Sequence, residues 1–136
     1  MTKTSIINNN INENNNHLKL NEMVDLYGKM LIIRLLEEKI EFGITRGQVH
    51  GTTHLSIGQE AVPVGISAHL RNEDYVVSNH RGHGHALAKG LTSERLLAEI
   101  MGRENGYCKG RGGTQHISHF EKGFIAAEVF HYEDTQ

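Results

Sequence analysis

From Glu22 onward, apolar residues recur at three- and four-residue steps. Met23, Leu26, Met30 and Ile33 form one row, Tyr27, Leu31 and Leu35 run beside it, and Asp25, Lys29, Arg34, Glu38 and Glu41 take much of the remaining surface. This period predicts a helix over 22–42 with a wide apolar face, wider than the rest of this chain can cover. Asn21 is placed to cap it, Glu22 and Asp25 suit its positive end, and Gly43 followed by Gly47 marks its stop. The stretch GQVHGTTHLSIG (47–58) reads as a loop. A second helix follows over 59–70, with Pro63 in its first turn, where a missing N–H costs little.

After a polar turn at 71–74, Tyr75-Val76-Val77-Ser78 is short, β-branched and bounded by polar residues, which predicts a buried strand. SNHRGHGHALAKG (78–90) leads from it into a helix around 85–89. Thr92 or Ser93 caps a further helix carrying Leu96, Leu97, Ile100 and Met101, and Gly102 stops it. The run GRENGYCKGRGG (102–113) holds five glycines and reads as a mobile or ligand-ordered loop. Residues 121–136 show no clear period and no closing element. The first 20 residues are asparagine-rich and read as a disordered polar leader, without the apolar stretch of a signal peptide.

The chain has 136 residues, 38% of them hydrophobic, enough for one small domain or part of a larger one. Fourteen basic and 16 acidic side chains leave a net charge of −2, so no field favours nucleic acid or an anionic membrane. No apolar run is long enough to span a bilayer. A single cysteine, Cys108, makes no internal disulfide, which points to a reducing compartment.

The stretch from His80 to Gly90 admits three readings. His80, His83 and His85, with His50 and His54 upstream, are of the right type to ligate zinc or a similar ion, although the H-x-x-H-x-H spacing is not a strong metal pattern. Arg81 lies after a strand, in a glycine-containing turn, before a helix. A diphosphate would find a guanidinium and backbone N–H groups there, at the sheet edge where α/β proteins bind ligands. The third reading is a corner made by glycines, with histidines bonded to backbone groups.

Five blocks, in order and spacing, tip the balance: R-L-L-E-E (34–38), G-Q-V-H-G-T-T-H-L-S-I-G-Q-E-A (47–61), H-R-G-H-G-H-A-L-A-K-G (80–90), L-L-A-E-I-M-G-R (96–103) and G-Y-C-K-G-R-G-G-T-Q-H (106–116). From about Tyr27 to Ile125 the chain resembles the alpha subunit of the thiamine-diphosphate-dependent first component of 2-oxo acid dehydrogenase complexes, with H-R-G-H-G-H closest to the acetoin branch. The resemblance implies an α/β fold, here the mostly helical N-terminal part of a thiamine-diphosphate-binding domain over 21–125. It implies oxidative decarboxylation or cleavage of a pyruvate- or acetoin-type substrate, with transfer to a lipoyl group. His54 then lines the substrate end, and an imidazole suits proton work near neutral pH. His80 and Arg81 reach the cofactor, Arg81 at the diphosphate, and His83 stands near the site as a second catalytic candidate. A backbone contact to the cofactor maps to His119. Gln59 and Glu60 read at least as well as helix-start residues satisfying N–H groups as they do as catalytic residues.

The G-D-G block that holds Mg²⁺ in that family does not occur in this chain, residues 126–136 diverge, and the glutamate that activates the cofactor belongs to a beta subunit. The expected partners are therefore a beta subunit, in an alpha2beta2 parent, and a lipoyl-bearing acyltransferase, in the cytoplasm or a mitochondrial matrix. The chain alone is expected to be inactive. Two alternatives are a decayed, non-catalytic subunit that docks on a beta subunit and a small histidine metalloprotein.

Overall fold

The computed structural model describes residues 18–125; most of the asparagine-rich leader and the whole 126–136 stretch lie outside the described residues. Helix α1 spans Leu20–Thr45, longer at both ends than the apolar period predicts. Asn21 therefore lies inside the helix. The cap is Lys19, whose backbone N–H donates to Glu22 Oε2 at 2.8 Å. Gly43 is helical and buried, and the break comes at Arg46 and Gly47. At about 1.5 Å per residue its 26 residues run about 39 Å.

Two opposite sides of α1 are apolar. Ile33, Leu36, Ile40 and Gly43 are buried on one side. Leu20, Val24, Tyr27, Leu31, Leu35 and Phe42 recur at three-, four- and seven-residue steps on the other, and all are exposed. The wide apolar face is thus real, and nothing among the described residues covers its outer half.

Helix α2 (Ala61–Ser67), α3 (His83–Ala88) and α4 (Ser93–Ile100) pack against the inner side of α1. α2 is shorter than predicted, with Pro63 in its first turn. Gly84 lets α3 approach both neighbours: a Cβ there would lie 3.1 Å from Pro63 Cγ and 3.3 Å from Ile33 Cγ2. Leu36, Ile40, Val49, Ala86, Leu91, Leu96, Ile100, Ile117 and Phe124 form one buried cluster.

The strand prediction needs correction. β1 is only Val76–Val77, and Val77 is 67% exposed, because one layer of side chains covers one face of the strand and leaves the other open. Its partner β2 (Phe124–Ile125) lies where the sequence showed no closing element, after a 3-10 turn over Phe120–Lys122. The two strands run parallel, Val76 opposite Phe124 and Val77 opposite Ile125. The architecture is mostly helical with a short two-stranded parallel sheet, and the loop 78–82 leaves that sheet and enters α3 as the sequence predicts.

The 102–113 loop also departs from expectation, because it is clamped rather than loose. The buried Glu99 carboxylate in α4 accepts N–H groups from Cys108 (2.6 Å) and Gly110 (2.9 Å) on Oε2 and from Gly112 (2.6 Å) on Oε1. Gly110 sits at φ 72°, and a Cβ on it would lie 2.7 Å from Arg103 N, so the loop closes on itself only with glycine there. Cys108 belongs to this structure, its Sγ accepting the Ser118 N–H at 3.3 Å.

Candidate cofactor-facing site

The loop after β1 and the loop before α2 meet. The His54 and His80 rings contact edge to face, with centroids 4.7 Å apart and planes at 72°. Arg81, next to His80, donates through Nη1 to the carbonyl of Leu55, next to His54. The Arg81 backbone N–H donates to Asn79 Oδ1 at 3.0 Å, which shapes the turn into α3. Three of the residues singled out in the sequence, His54, His80 and Arg81, are thus brought together on two touching loops.

Arg81 forms no ion pair with any carboxylate among the described residues. It lines a cavity of about 200 Å³ with Ser56, Gln59, Val62, Pro63, Asn79 and His85. His85 Nδ1 is buried with no well-aligned hydrogen-bond partner among the described residues, and burial outweighs the Arg81 backbone group beside it and pushes the ring below the ordinary histidine value, which favours the neutral form. A half-buried cation beside a cavity is the arrangement an anionic group needs.

His83 and His119 lie elsewhere. His83 is fully buried at the start of α3, with Nδ1 3.2 Å from Glu37 Oε1 and Nε2 3.2 Å from the Thr114 carbonyl. No substrate reaches it in this arrangement. His119 packs against Tyr107 at 4.9 Å and exchanges backbone hydrogen bonds with Phe124. It lines a separate groove with Arg95, Ser118, Phe120 and Glu121.

Glu60 stands at the start of α2 and accepts a backbone N–H, as the helix-start reading expects, and it is also an ion-pair partner. Its Oε1 accepts from Arg34 Nε at 2.6 Å and from the Gly58 N–H at 2.9 Å. The Arg34 hydrogen bond holds its carboxyl at about 2, well below the usual carboxylate range. Gln59, its neighbour, lines the Arg81 cavity.

Sequence reasoning passed over Glu37, Ser56 and Glu99. The signal was present for both acids. Glu37 falls in the core row with Ile33, Leu36 and Ile40, and Glu99 falls beside Leu96 and Ile100. A charge at a core position of a helix must find partners. Of the three readings of the histidine stretch, metal ligation has no geometric support: among the described residues no three His, Cys, Asp or Glu side chains are grouped to hold an ion.

The family model described as "Dehydrogenase E1 component" matches residues 28–130. The chain belongs to the dehydrogenase E1 component family. Its relatives include the subunit alpha of acetoin:2,6-dichlorophenolindophenol oxidoreductase from Bacillus subtilis (strain 168), 46% identical over 102 residues, which are 75% of this chain and 31% of that protein. The corresponding subunit of Cupriavidus necator is 42% identical over 105 residues, 77% of this chain and 32% of that protein. The pyruvate dehydrogenase E1 component subunit alpha of Porphyra purpurea is 38% identical over 119 residues, 88% of this chain and 35% of that protein. This E1 chain spans about a third of the length of each.

Proposed function

We propose that this chain forms one wall of a thiamine-diphosphate site in an alpha subunit of pyruvate- or acetoin-type dehydrogenases, and that it does not turn over alone. The observation that supports it most is the unpaired Arg81 guanidinium beside its cavity, tied through Leu55 to the loop that carries His54. The cavity side fits a diphosphate. It does not fit Mg²⁺, because no carboxylate lines the cavity and no three His, Cys, Asp or Glu side chains among the described residues are grouped to hold an ion. When bound, the cofactor supplies the carbanion chemistry that breaks the bond beside a substrate carbonyl. Arg81 holds diphosphate charge. His80 flanks the cofactor and fixes the His54 ring by edge-to-face contact. His54 exchanges protons with substrate. His119 would have to give up backbone bonds to Phe124 or Lys122 before its backbone could meet the cofactor. His83, being buried, positions rather than reacts. A beta subunit and a lipoyl-bearing acyltransferase complete the assembly in the cytoplasm or a mitochondrial matrix, and no helix among the described residues is long and apolar enough to cross a membrane.

Titration of the purified chain with thiamine diphosphate, followed through histidine ring resonances, tests this. His54 and His80 signals shift together and saturate, His69 on the far end of α2 does not, and R81A weakens the response at least tenfold. Equal, unsaturable shifts at all three histidines would refute it.

A second reading, a non-catalytic subunit docked on a beta-type partner, is favoured by the exposed row from Leu20 to Phe42 on α1.

A further inference from the structure

Glu37 joins the two site loops at a single atom. Its carboxylate is fully buried, and Oε1 accepts both the Ser56 hydroxyl at 2.7 Å and the His83 Nδ1 contact at 3.2 Å, with Oε2 3.4 Å from the same ring nitrogen. Ser56 stands two residues after His54. His83 stands two residues after Arg81. The far side of the His83 ring reaches the Thr114 carbonyl, and the Thr114 hydroxyl donates at 3.0 Å to the Thr52 carbonyl, back in the first loop. The contacts therefore start in the buried interior on α1, branch to both loops at Glu37 and return to the first loop through the part-buried Thr114–Thr52 bond.

We infer that Glu37 is a positioning residue that couples the His54 loop to the Arg81 loop. Two loops that only touched at the surface could shift independently. Here a shift of either loop moves a hydrogen bond on the oxygen that holds the other, and that oxygen is buried, where an unmade bond is costly. Loss of the Ser56 hydroxyl lets the Glu37 carboxylate shift, and that shift disturbs its contact with the His83 ring. The catalytic consequence, that an anion ordering Arg81 also orders His54, rests on the proposed cofactor site; the coupling itself rests on the packing alone.

The test uses the purified 136-residue chain and no ligand. Amide hydrogen exchange is read over 50–58, over 78–86 and, as an internal reference, over 102–113, which Glu99 clamps separately. Either S56A or H83Q, each cutting one arm, is expected to speed exchange at least fivefold in both site loops and to leave 102–113 within twofold. The His83 ring N–H proton resonance is expected to move in S56A, although Ser56 does not touch the ring. E37Q is expected to speed both loops at least tenfold. If E37Q fails to fold, the two single-arm variants decide. Should S56A loosen only 50–58 and H83Q only 78–86, with an unmoved His83 resonance in S56A, the coupling is overturned and Glu37 makes two independent bonds.

Discussion

Two acids show how one side chain sets the strength of a loop. Glu99 accepts three backbone N–H groups of the glycine-rich 106–112 segment, all within 2.9 Å. Replacing it with alanine leaves those part-buried donors without their acceptor, at up to about 1–3 kcal/mol each before water and relaxation offset it. E99A should therefore lose about 3 kcal/mol, read as a lower urea midpoint, with fast exchange confined first to 102–113. Glu60 behaves differently, because its partner Arg34 is part-exposed. With a folded value of about 2 against an ordinary 4.5, the carboxylate stabilises the fold at pH above about 4.5, and that contribution falls away as pH drops toward 2. The urea midpoints of the parent and E60Q should differ at pH 6 and converge between pH 4.5 and 2. A constant difference across that range would show that Arg34 does not hold the carboxyl down. Arg81 stood out from its place after a strand, whereas His54 and His80 stood out as cofactor-site residues only through the family resemblance; the structure puts all three on touching loops. Glu37 and Glu99 were not legible, because a helical acid looks solvated until its position in the core row is counted.

Among the elements, α1 departs furthest from an ordinary surface helix. Apolar residues on opposite sides give it almost no net amphipathic direction, although each side is regular. Its existence and most of its length follow from the three- and four-residue period. Its ends do not, since the helix runs through both Asn21 and Gly43: local cap signals are weak against the hydrogen bonds that continuing a helix adds. The outer row sets up a direct comparison. L31E should change the unfolding free energy of the isolated chain, read from urea titration, by no more than about 0.5 kcal/mol, as expected for an exposed site. It should abolish co-purification with a co-expressed beta-type subunit. If L31E retains the partner, that row is not the docking face. The sheet was half legible: the β-branched pair Val76-Val77 announced β1, whereas β2 was hidden because two residues carry no period. Parallel pairing also depends on a partner 48 positions away in the register Val76 to Phe124, which local pattern does not encode.

At the size of the whole chain, the family came through in the order of five motifs, and the 28–130 match agrees with it. The architecture explains why activity should not follow. One cation, Arg81, faces the cavity, no group of cation ligands stands near it, and the parallel sheet stops at two strands among the described residues. One guanidinium can bind a diphosphate, but holding its two or three negative charges in place for catalysis needs more counter-charge. A dye-coupled assay of the purified chain, with thiamine diphosphate, Mg²⁺ and either pyruvate or acetoin, settles whether the wall is the whole site. The expected result is no turnover above the protein-free blank with either substrate. Turnover by the chain alone that disappears in R81A would mean that these 136 residues build a complete catalytic centre.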